Sequence, residues 1–251
     1  MAVIFVHGVP ETAAIWDPLL AELGREDAIT LSPPGFGAPV PGGFGATSDD
    51  YLAWLTAAVE NLAGAPHDLI GHDWGGIHVA RLAAARPDLV RSWAMDIAGT
   101  LDPGYVWHDL AQGWQTEGAG EELVAGMFSS PPGARTEALV QAGMTEPAAR
   151  SSAENLGPET GQCILALYRS ARQPAMADWG RQLEPAERRP TLVIIATADP
   201  YAGGPALAHQ TAQRLGAQEA VLDGLSHWWM LHDPAQGARV IADFLASLPG
   251  G

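Results

Sequence analysis

A tight turn flanked by glycines holds the side chain with the strongest chemical signal in the chain. In the segment Gly71–Gly76, which reads Gly-His-Asp-Trp-Gly-Gly, an aspartate occupies the centre of a glycine-x-nucleophile-x-glycine pattern. Such a turn needs glycines because side chains there would clash, and it lifts the central residue to a helix start, where an anion is favoured. Asp73 is therefore the candidate nucleophile; the simpler alternative is that it only caps the helix.

Two further polar side chains follow apolar runs later in the chain. Asp199 comes after the run Thr191–Ala196, and His227 lies in the loop after Ala217–Leu222. Taken alone, the first could belong to an ordinary Asp-Pro turn and the second could be a structural histidine. The order nucleophile, acid, histidine is, however, one of the orders in which hydrolytic triads occur. We therefore expect Asp199 to orient His227, and His227 to act beside Asp73.

The turn His7–Glu11, His-Gly-Val-Pro-Glu, follows the first apolar run. Such a turn can present the main-chain N–H of Val9 to the site. Together with the N–H of Trp74 it would form an oxyanion hole. We expect His7 to hydrogen-bond neighbouring loops and Glu11 to begin a helix.

An aspartate at the nucleophile position restricts the chemistry. A carboxylate that attacks an ester carbonyl gives a labile anhydride, whereas one that attacks a saturated carbon gives an alkyl ester that water can cleave. Asp73 therefore favours the opening of an epoxide or the expulsion of a halide over ordinary ester hydrolysis. In the second step His227 would take a proton from the attacking water.

The elements that must position these residues alternate between strands and helices from residue 3 to 100 and again from 190 to 251. This alternation predicts a parallel sheet covered by helices on both faces. The predicted strands are Val3–Val6, Ala28–Leu31, Asp68–Gly71, Ser92–Ile97, Thr191–Ala196 and Ala217–Leu222. Helical spacing predicts the helices 15–23, 51–62, 77–85 and 235–248.

The segment 101–187 interrupts the alternation. Its pattern is mostly helical, it lacks a convincing strand pattern, and it carries Trp107, Trp114 and Trp179. We predict that this segment is a helical cap over the carboxyl ends of the strands, inserted after the fourth strand, and that residues 1–100 and 188–251 form the core. A cap rich in tryptophan favours an apolar or aromatic small-molecule substrate.

The composition argues against several other classes of function. The 251 residues include 29 acidic and 13 basic side chains, and the net charge of −16 opposes binding to nucleic acid. All basic residues are arginine, which excludes a Walker A loop and a Schiff-base lysine. Cys163 is the one cysteine, and the eight histidines show no ligand spacing, so we expect no metal and no cofactor.

No run of the sequence reaches transmembrane length, and the N-terminal residues lack a signal-peptide pattern. We therefore expect a cytoplasmic protein with no membrane partner, acting as a monomer or a homodimer.

In order and spacing these motifs resemble the α/β-hydrolase superfamily, over roughly residues 1–100 and 190–251. Within it, the His-Gly-x-Pro turn and the segment Gly71–Gly76 resemble the epoxide hydrolase and haloalkane dehalogenase branch, whose nucleophile is an aspartate. The resemblance implies an α/β-hydrolase fold of about six mostly parallel strands flanked by helices. It also implies a cofactor-free hydrolase that opens an epoxide to a diol through an ester on Asp73.

Epoxide hydrolases place two cap tyrosines over the nucleophile. Leu167–Arg169 resembles the Tyr-Arg motif that carries one of them, so the resemblance implies Tyr168 as proton donor. The region that carries the other cap tyrosine resembles Val106–Asp109, which contains no tyrosine. Tyr105 lies two residues before the position that the resemblance implies. His108 or Trp107 is left as its substitute. The candidate substrate-binding residues are Trp107, His108 and Trp228.

Three alternatives stay open. Asp96 occupies the place that some dehalogenases use for the acid, although the residues before Asp199 fit a strand-end turn better. A haloalkane dehalogenase could use the Trp74 indole as a halide donor, but Val9 stands where many such enzymes have asparagine. The missing tyrosine motivates a hydrolase-fold protein that binds or cyclises a natural-product intermediate without an ester.

Overall fold

The computed structural model describes residues 1–184 and 189–249. Within these ranges six strands form one sheet in the order β2-β1-β3-β4-β5-β6, and every neighbouring pair is parallel. The strands are β1 (Val3–Val6), β2 (Ala28–Leu31), β3 (His67–Gly71), β4 (Val90–Met95), β5 (Thr191–Ala196) and β6 (Gln218–Leu222). The predicted parallel sheet is confirmed, and the strand bounds differ from the predicted ones by at most two residues.

Both faces of the inner strands β1, β3, β4 and β5 are buried, which the alternation of side chains in β1 illustrates. Ile4 and Val6 belong to one hydrophobic cluster, and Val3 and Phe5 belong to a second cluster on the other face. Strands covered on both sides read as continuous apolar runs, which is why the sequence shows them clearly. The core helices are α1 (Asp17–Leu23), α2 (Ser48–Glu60), α3 (Trp74–Ala85), α10 (Pro205–Leu215), α11 (Trp229–His232) and α12 (Pro234–Ala246).

Six α-helices lie between β4 and β5 in the described chain, as the sequence predicts for a helical insert after the fourth strand. They are α4 (Asp109–Gln115), α5 (Ala119–Ser129), α6 (Pro132–Gln141), α7 (Glu146–Asn155), α8 (Pro158–Ser170) and α9 (Ala175–Leu183). Ile164 and Leu167 of the insert share a hydrophobic cluster with Ile77 of α3, so the insert packs directly on the core. The predicted boundary at 187/188 falls outside the described residues.

Because all strands are parallel, their carboxyl ends meet at one edge of the sheet, where loops from different strands converge. The loops that follow β1, β3, β4, β5 and β6 carry the acidic residues and histidines singled out above. None of the helices in residues 1–184 and 189–249 is long and apolar enough to cross a membrane.

Candidate active site

Asp73 occupies a strained turn between β3 and α3. Its backbone has φ 50° and ψ −127°, a region that residues other than glycine rarely adopt. A Cβ on Gly75 would lie 2.1 Å from the carbonyl oxygen of Val6, so the close approach of the turn to β1 requires glycine there. The Asp73 side chain makes no capping hydrogen bond to α3. The structure therefore does not support the capping interpretation and leaves the carboxylate free to face the site.

The two oxygens of the Asp73 carboxylate have different neighbours. The N–H of Val9 donates to Oδ1 at 3.0 Å, and Nε2 of His227 lies 4.0 Å from Oδ2. A Cβ on Gly8 would lie 2.2 Å from Oδ1, so the glycine makes room for the carboxylate. Burial raises the pKa of Asp73, and the charges of His227 and His72 oppose that rise.

His227 is oriented by Asp199. The Nδ1–H of His227 donates to Oδ2 of Asp199 at 2.8 Å, and the N–H of Tyr201 donates to Oδ1 at 2.7 Å. Because a carboxylate only accepts, this bond leaves the lone pair of the imidazole on Nε2, toward Asp73. Burial alone would lower the pKa of His227, but Asp199 and Asp73 together more than offset it, and the pKa is raised. Burial would raise the pKa of Asp199, but His227 holds it below its usual value.

Asp96, the alternative acid, has other partners. Its Oδ1 accepts from the main-chain N–H of Asp73 at 3.0 Å, and its Oδ2 accepts from Nε1 of Trp229 at 2.7 Å and lies 2.5 Å from Nδ1 of His72. The structure thus brings Asp199 to the imidazole of His227 and Asp96 to the backbone of the nucleophile turn.

Glu11 does not have the expected role at a helix start. It is fully buried, and its carboxylate accepts from the N–H of Gly8 at 2.7 Å and from Nε1 of Trp228 at 2.6 Å. Burial alone would raise the pKa of Glu11, but His72 lowers it to about 2. The expectation was wrong about the side chain: Gly8 lies in the same turn, but Trp228 comes from a distant segment that no local pattern indicates.

A cavity of about 310 Å³ lies between the sheet edge and the insert. Asp73, His227, Val9 and Tyr168 border it, together with the predicted His108 and Trp228. Its other walls are mostly apolar and include Trp114, Met127, Phe128, Leu139 and Leu156. The dimensions and lining suit one small apolar molecule whose reacting carbon contacts Asp73.

A second, smaller cavity of about 20 Å³ adjoins Asp73. The predicted Trp107 lines this cavity and stacks on Trp74, with ring centroids 6.0 Å apart and planes at 21°. Trp107 therefore lies beside the nucleophile turn and does not line the larger cavity. The Tyr105 hydroxyl donates to the carbonyl oxygen of Tyr201 at 3.0 Å.

Two tyrosines border both cavities. Tyr168 projects from α8; burial and the charge of Asp73 raise its pKa, whereas a hydrogen bond with the Trp74 side chain lowers it. Tyr201 was not identified from the sequence, and its ring centroid lies 5.0 Å from that of His227. Its position two residues after Asp199 was the signal that could have found it. In the described chain no three histidine, cysteine or acidic side chains are grouped to hold a metal ion.

Comparisons with known proteins agree with this architecture. The model of the Alpha/beta hydrolase family matches residues 3–240. The (E)-2-((N-methylformamido)methylene)succinate hydrolase of Acinetobacter baylyi is 28% identical over 93 residues, which are 37% of this chain and 35% of that protein. This chain thus aligns with well under two thirds of the length of that relative.

Two solved structures resemble the whole chain. A loop variant of the haloalkane dehalogenase DbeA from Bradyrhizobium elkanii has a TM-score of 0.76 at 21% identity, covering 98% of this chain and 90% of that one. An E-2-(acetamidomethylene)succinate hydrolase has a TM-score of 0.75 at 20% identity, covering 98% and 91%. At these identities the likeness shows a shared fold.

Proposed function

The chain belongs to the alpha/beta hydrolase family, and from this premise we propose that it opens an apolar epoxide to a diol through a covalent ester on Asp73. One observation carries the proposal: a carboxylate stands at the nucleophile position, with the Val9 N–H on one oxygen and His227 at 4.0 Å from the other. A carboxylate that attacks a saturated carbon forms a stable ester, and the waiting imidazole supplies the base that hydrolyses it.

In the first step an oxygen of Asp73 bonds to an epoxide carbon while the carbon–oxygen bond of the ring breaks. The leaving oxygen takes the hydroxyl proton of Tyr168, whose raised pKa keeps it protonated until then. The Trp74 indole, already a hydrogen-bond partner of Tyr168, stabilises the tyrosinate that forms. Tyr201 borders the same space and is the candidate for the second donor.

In the second step His227 takes a proton from water, and the water oxygen bonds to the carboxyl carbon of the Asp73 ester. Negative charge develops on the former Oδ1, where the Val9 N–H already donates. The N–H of Trp74, the first residue of α3, has no acceptor within its helix and is the second donor we assign. Collapse of the intermediate releases the diol, whose leaving oxygen takes the proton from the imidazolium. The carboxylic acid left on Asp73 then returns its proton to the Tyr168 oxygen, which restores both groups.

The lining of the larger cavity supports an apolar substrate over a dicarboxylate. Arg135 is the one arginine in the described lining of the cavity; its two terminal nitrogens donate to the carbonyl oxygens of Ser130 and Ala153, and its buried Nε has no partner, so it could pair with one carboxylate at most while Asp73 would repel both. Carboxylates are costly to bury unless cations pair with them. The succinate derivatives named for the two relatives therefore fit this chain poorly.

The decisive test uses the His227→Gln variant with styrene oxide. We expect intact mass spectrometry to show one substrate mass added to the protein, and peptide mapping to locate the adduct on Asp73, because alkylation proceeds and hydrolysis does not. The double variant Asp73→Asn/His227→Gln is the control and should stay unmodified. Absence of an adduct with an epoxide that the wild-type protein turns over would contradict the proposal and favour the alternative of binding or cyclisation without an ester.

Haloalkane hydrolysis is the second candidate, favoured by the structural likeness to haloalkane dehalogenases and by the Trp74 indole beside Asp73. A departing halide ion needs hydrogen-bond donors and does not need a proton. The side chain of Val9 supplies no such donor. Halide release from 1-bromobutane, with no diol formed from styrene oxide, would support this candidate over the first.

A further inference from the structure

The loop that carries Asp199 connects β5 to α10 over residues 197–204. Its first part is tied to β6 and to the loop after it, because the main-chain N–H groups of Thr197 and Ala198 donate there. In the described chain, residues 200–203 make no hydrogen bond from main chain to main chain. The second part of the loop therefore depends on side chains for its position.

The side chain of Tyr105 makes one of these contacts. Its hydroxyl donates to the carbonyl oxygen of Tyr201 at 3.0 Å, and the N–H of Tyr201 donates to Oδ1 of Asp199 at 2.7 Å. The phenol is thus linked through one residue to the carboxylate that orients His227. A Cβ on Gly203 would lie 2.9 Å from Cδ2 of Tyr105, so the ring also packs closely on the backbone of the loop.

The turn that carries Tyr105 is itself anchored. The N–H of Tyr105 donates to the carbonyl oxygen of Asp102, whose Oδ1 accepts from the N–H of Gly104 at 2.7 Å. Oδ2 of Asp102 accepts from Nη1 of Arg214 at 2.5 Å, and Nε of Arg214 lies 3.2 Å from Oε1 of Glu184. These ion pairs join α10, the helix after the loop, to the first and the last described parts of the insert.

The Tyr105 hydroxyl is poorly placed to protonate a leaving group, although the chain lacks the second cap tyrosine that the resemblance implies. Its proton is already donated to the Tyr201 carbonyl, and Tyr105 borders the smaller cavity and not the larger one. Burial and the charges of Asp73 and Asp199 raise the pKa of Tyr105, so the hydroxyl keeps its proton. The contact therefore favours a role in holding the backbone over a role in proton transfer.

We propose that Tyr105 is a positioning residue, which holds the loop 199–204 so that Asp199 stays in place beside His227. The consequence for catalysis rests on the proposed function, whereas the position of the loop does not. Without the Tyr105 hydroxyl the main chain of Tyr201 is released on one side, and its N–H holds Asp199 less firmly. Because Asp199 raises the pKa of His227, a less firmly held Asp199 makes the imidazole a weaker base.

The other titratable groups around His227 come from the turns after β1, β3 and β5 and from the start of α4. They are Asp73, His72, Glu11, Tyr201 and His108. Substitution of Tyr105 by phenylalanine removes none of these groups. A change in the pKa of His227 in that variant therefore reports on the position of Asp199.

The test is the Tyr105→Phe variant, which keeps the ring and removes only the hydroxyl. By NMR without substrate, we expect hydrogen exchange of the Tyr201 amide to become about tenfold faster. We also expect the acid dissociation constant of the His227 imidazolium to rise about threefold, so that its pKa falls. Tyr51→Phe is the matched control, because the buried Tyr51 also donates to a main-chain carbonyl, that of Pro34 in another loop, at 2.8 Å. Neither quantity should change in the control.

Two results would overturn the proposal. One is a folded Tyr105→Phe protein in which either the exchange of the Tyr201 amide or the pKa of His227 stays as in the wild-type protein. The other is an equal change in the Tyr51→Phe control. If Tyr105 instead protonated the leaving oxygen, Tyr105→Phe would slow ring opening of styrene oxide while both NMR quantities stayed unchanged. Absence of epoxide turnover by the wild-type protein would contradict the proposed function alone, because the NMR measurements need no substrate.

Discussion

Nε2 of His227 lies 4.0 Å from Oδ2 of Asp73, too far for a direct hydrogen bond and near enough for one water molecule to contact both. A base that must deprotonate water, and not the nucleophile itself, needs such a gap. The same proximity couples the two charges, because ionised Asp73 raises the pKa of His227 and protonated His227 lowers the pKa of Asp73. Alkylation of Asp73 removes the charge of its carboxylate. The pKa of His227 therefore falls, and a larger fraction of the imidazole is neutral and able to act as a base.

This coupling predicts that the covalent ester accumulates as the pH falls. Hydrolysis requires neutral His227, and in the ester the charge of Asp199 still raises the pKa of that imidazole, whereas ring opening requires only ionised Asp73, which protonated His227 helps to maintain. Lowering the pH should therefore slow the second step before the first. Acid quenching of the wild-type protein with saturating styrene oxide, followed by intact mass measurement, should show a rising ester fraction. If the fraction of protein present as the ester did not change with pH, hydrolysis would not slow before ring opening, and the prediction would be wrong.

The bond between Asp199 and His227 predicts the effect of Asp199→Asn. An asparagine amide would donate to Nδ1 and force the proton onto Nε2, so the ring could no longer accept a proton from water. We expect ester hydrolysis to slow by roughly 10³–10⁴-fold with ring opening largely retained. Single-turnover mass measurements separate the two rates.

Asp223→Asn provides the control for this prediction. Asp223 is exposed and accepts from the Thr197 hydroxyl at 3.1 Å; the two residues lie in the loops that follow β6 and β5, as His227 and Asp199 do, but Asp223 does not contact His227. Its substitution should leave both rates unchanged. Equal loss of ring opening and hydrolysis in Asp199→Asn would argue for general disruption of the site and against a role in orienting the base.

The parts of the site that the sequence predicts are those encoded locally. The strained turn at Asp73 is readable because glycines at fixed offsets are a steric necessity, and the parallel sheet is readable because strands buried on both faces have continuous apolar runs. Asp73, Asp199 and His227 each follow a predicted strand of this parallel sheet. Their side chains therefore meet at the edge where the carboxyl ends of the strands lie, as the sequence predicts.

What the sequence did not predict depends on contacts across the fold. Glu11 and Trp228 are 217 residues apart in the chain yet share a hydrogen bond, and neither has a neighbour in sequence that signals it. Asp96 resembled a triad acid because its place at a strand end is right for one, but the side chain turns toward His72. Tyr201 reaches the cavity through the path of its loop, which residue pattern alone does not determine.

Leaving-group chemistry predicts a selective effect of Tyr168→Phe. An epoxide oxygen must gain a proton, whereas a halide leaves as an anion, so the variant should slow ring opening by roughly 10²–10⁴-fold and leave any halide displacement nearly unaffected. Tyr201→Phe should act in the same direction with a smaller effect. Tyr51→Phe is the control, because the Tyr51 hydroxyl donates to Pro34 away from Asp73. Equal losses with 1-bromobutane and styrene oxide would contradict the role in proton transfer.

The shape of the larger cavity predicts that a larger side chain in its lining will weaken binding of large epoxides more than of small ones. Ala138 of α6 borders the cavity, so Ala138→Phe should fill part of it and raise KM for trans-stilbene oxide by about tenfold or more, with little change for propylene oxide. Val140→Phe on the same helix is the control, since Val140 is exposed and does not border the cavity. Steady-state kinetics with the two epoxides measure the effect. Parallel losses for both substrates would place productive binding elsewhere.

The strain at the nucleophile predicts that the protein becomes more stable when it loses its reactive group. Asp73 has φ 50°, and its raised pKa means that the ionised carboxylate also destabilises the fold above that pKa. Asp73→Gly removes both effects and should raise the free energy of unfolding by about 1–2 kcal/mol at pH 7, measured by urea denaturation. The electrostatic part of the gain should be full above the raised pKa of Asp73, fade as the pH falls through that pKa, and vanish below 3.8, where the carboxyl is protonated in both the folded and the unfolded state.

Ala46→Gly separates backbone strain from charge. Ala46 has φ 53°, but it carries no carboxylate, so its substitution should give a gain that does not vary with pH and should preserve activity. If Asp73→Gly were instead less stable than the wild-type protein, the Val9 N–H on the carboxylate would outweigh strain and burial together. The turn would then be held in place by its own nucleophile, and the surrounding glycines and the Asp96 bond to the Asp73 backbone could not by themselves maintain it.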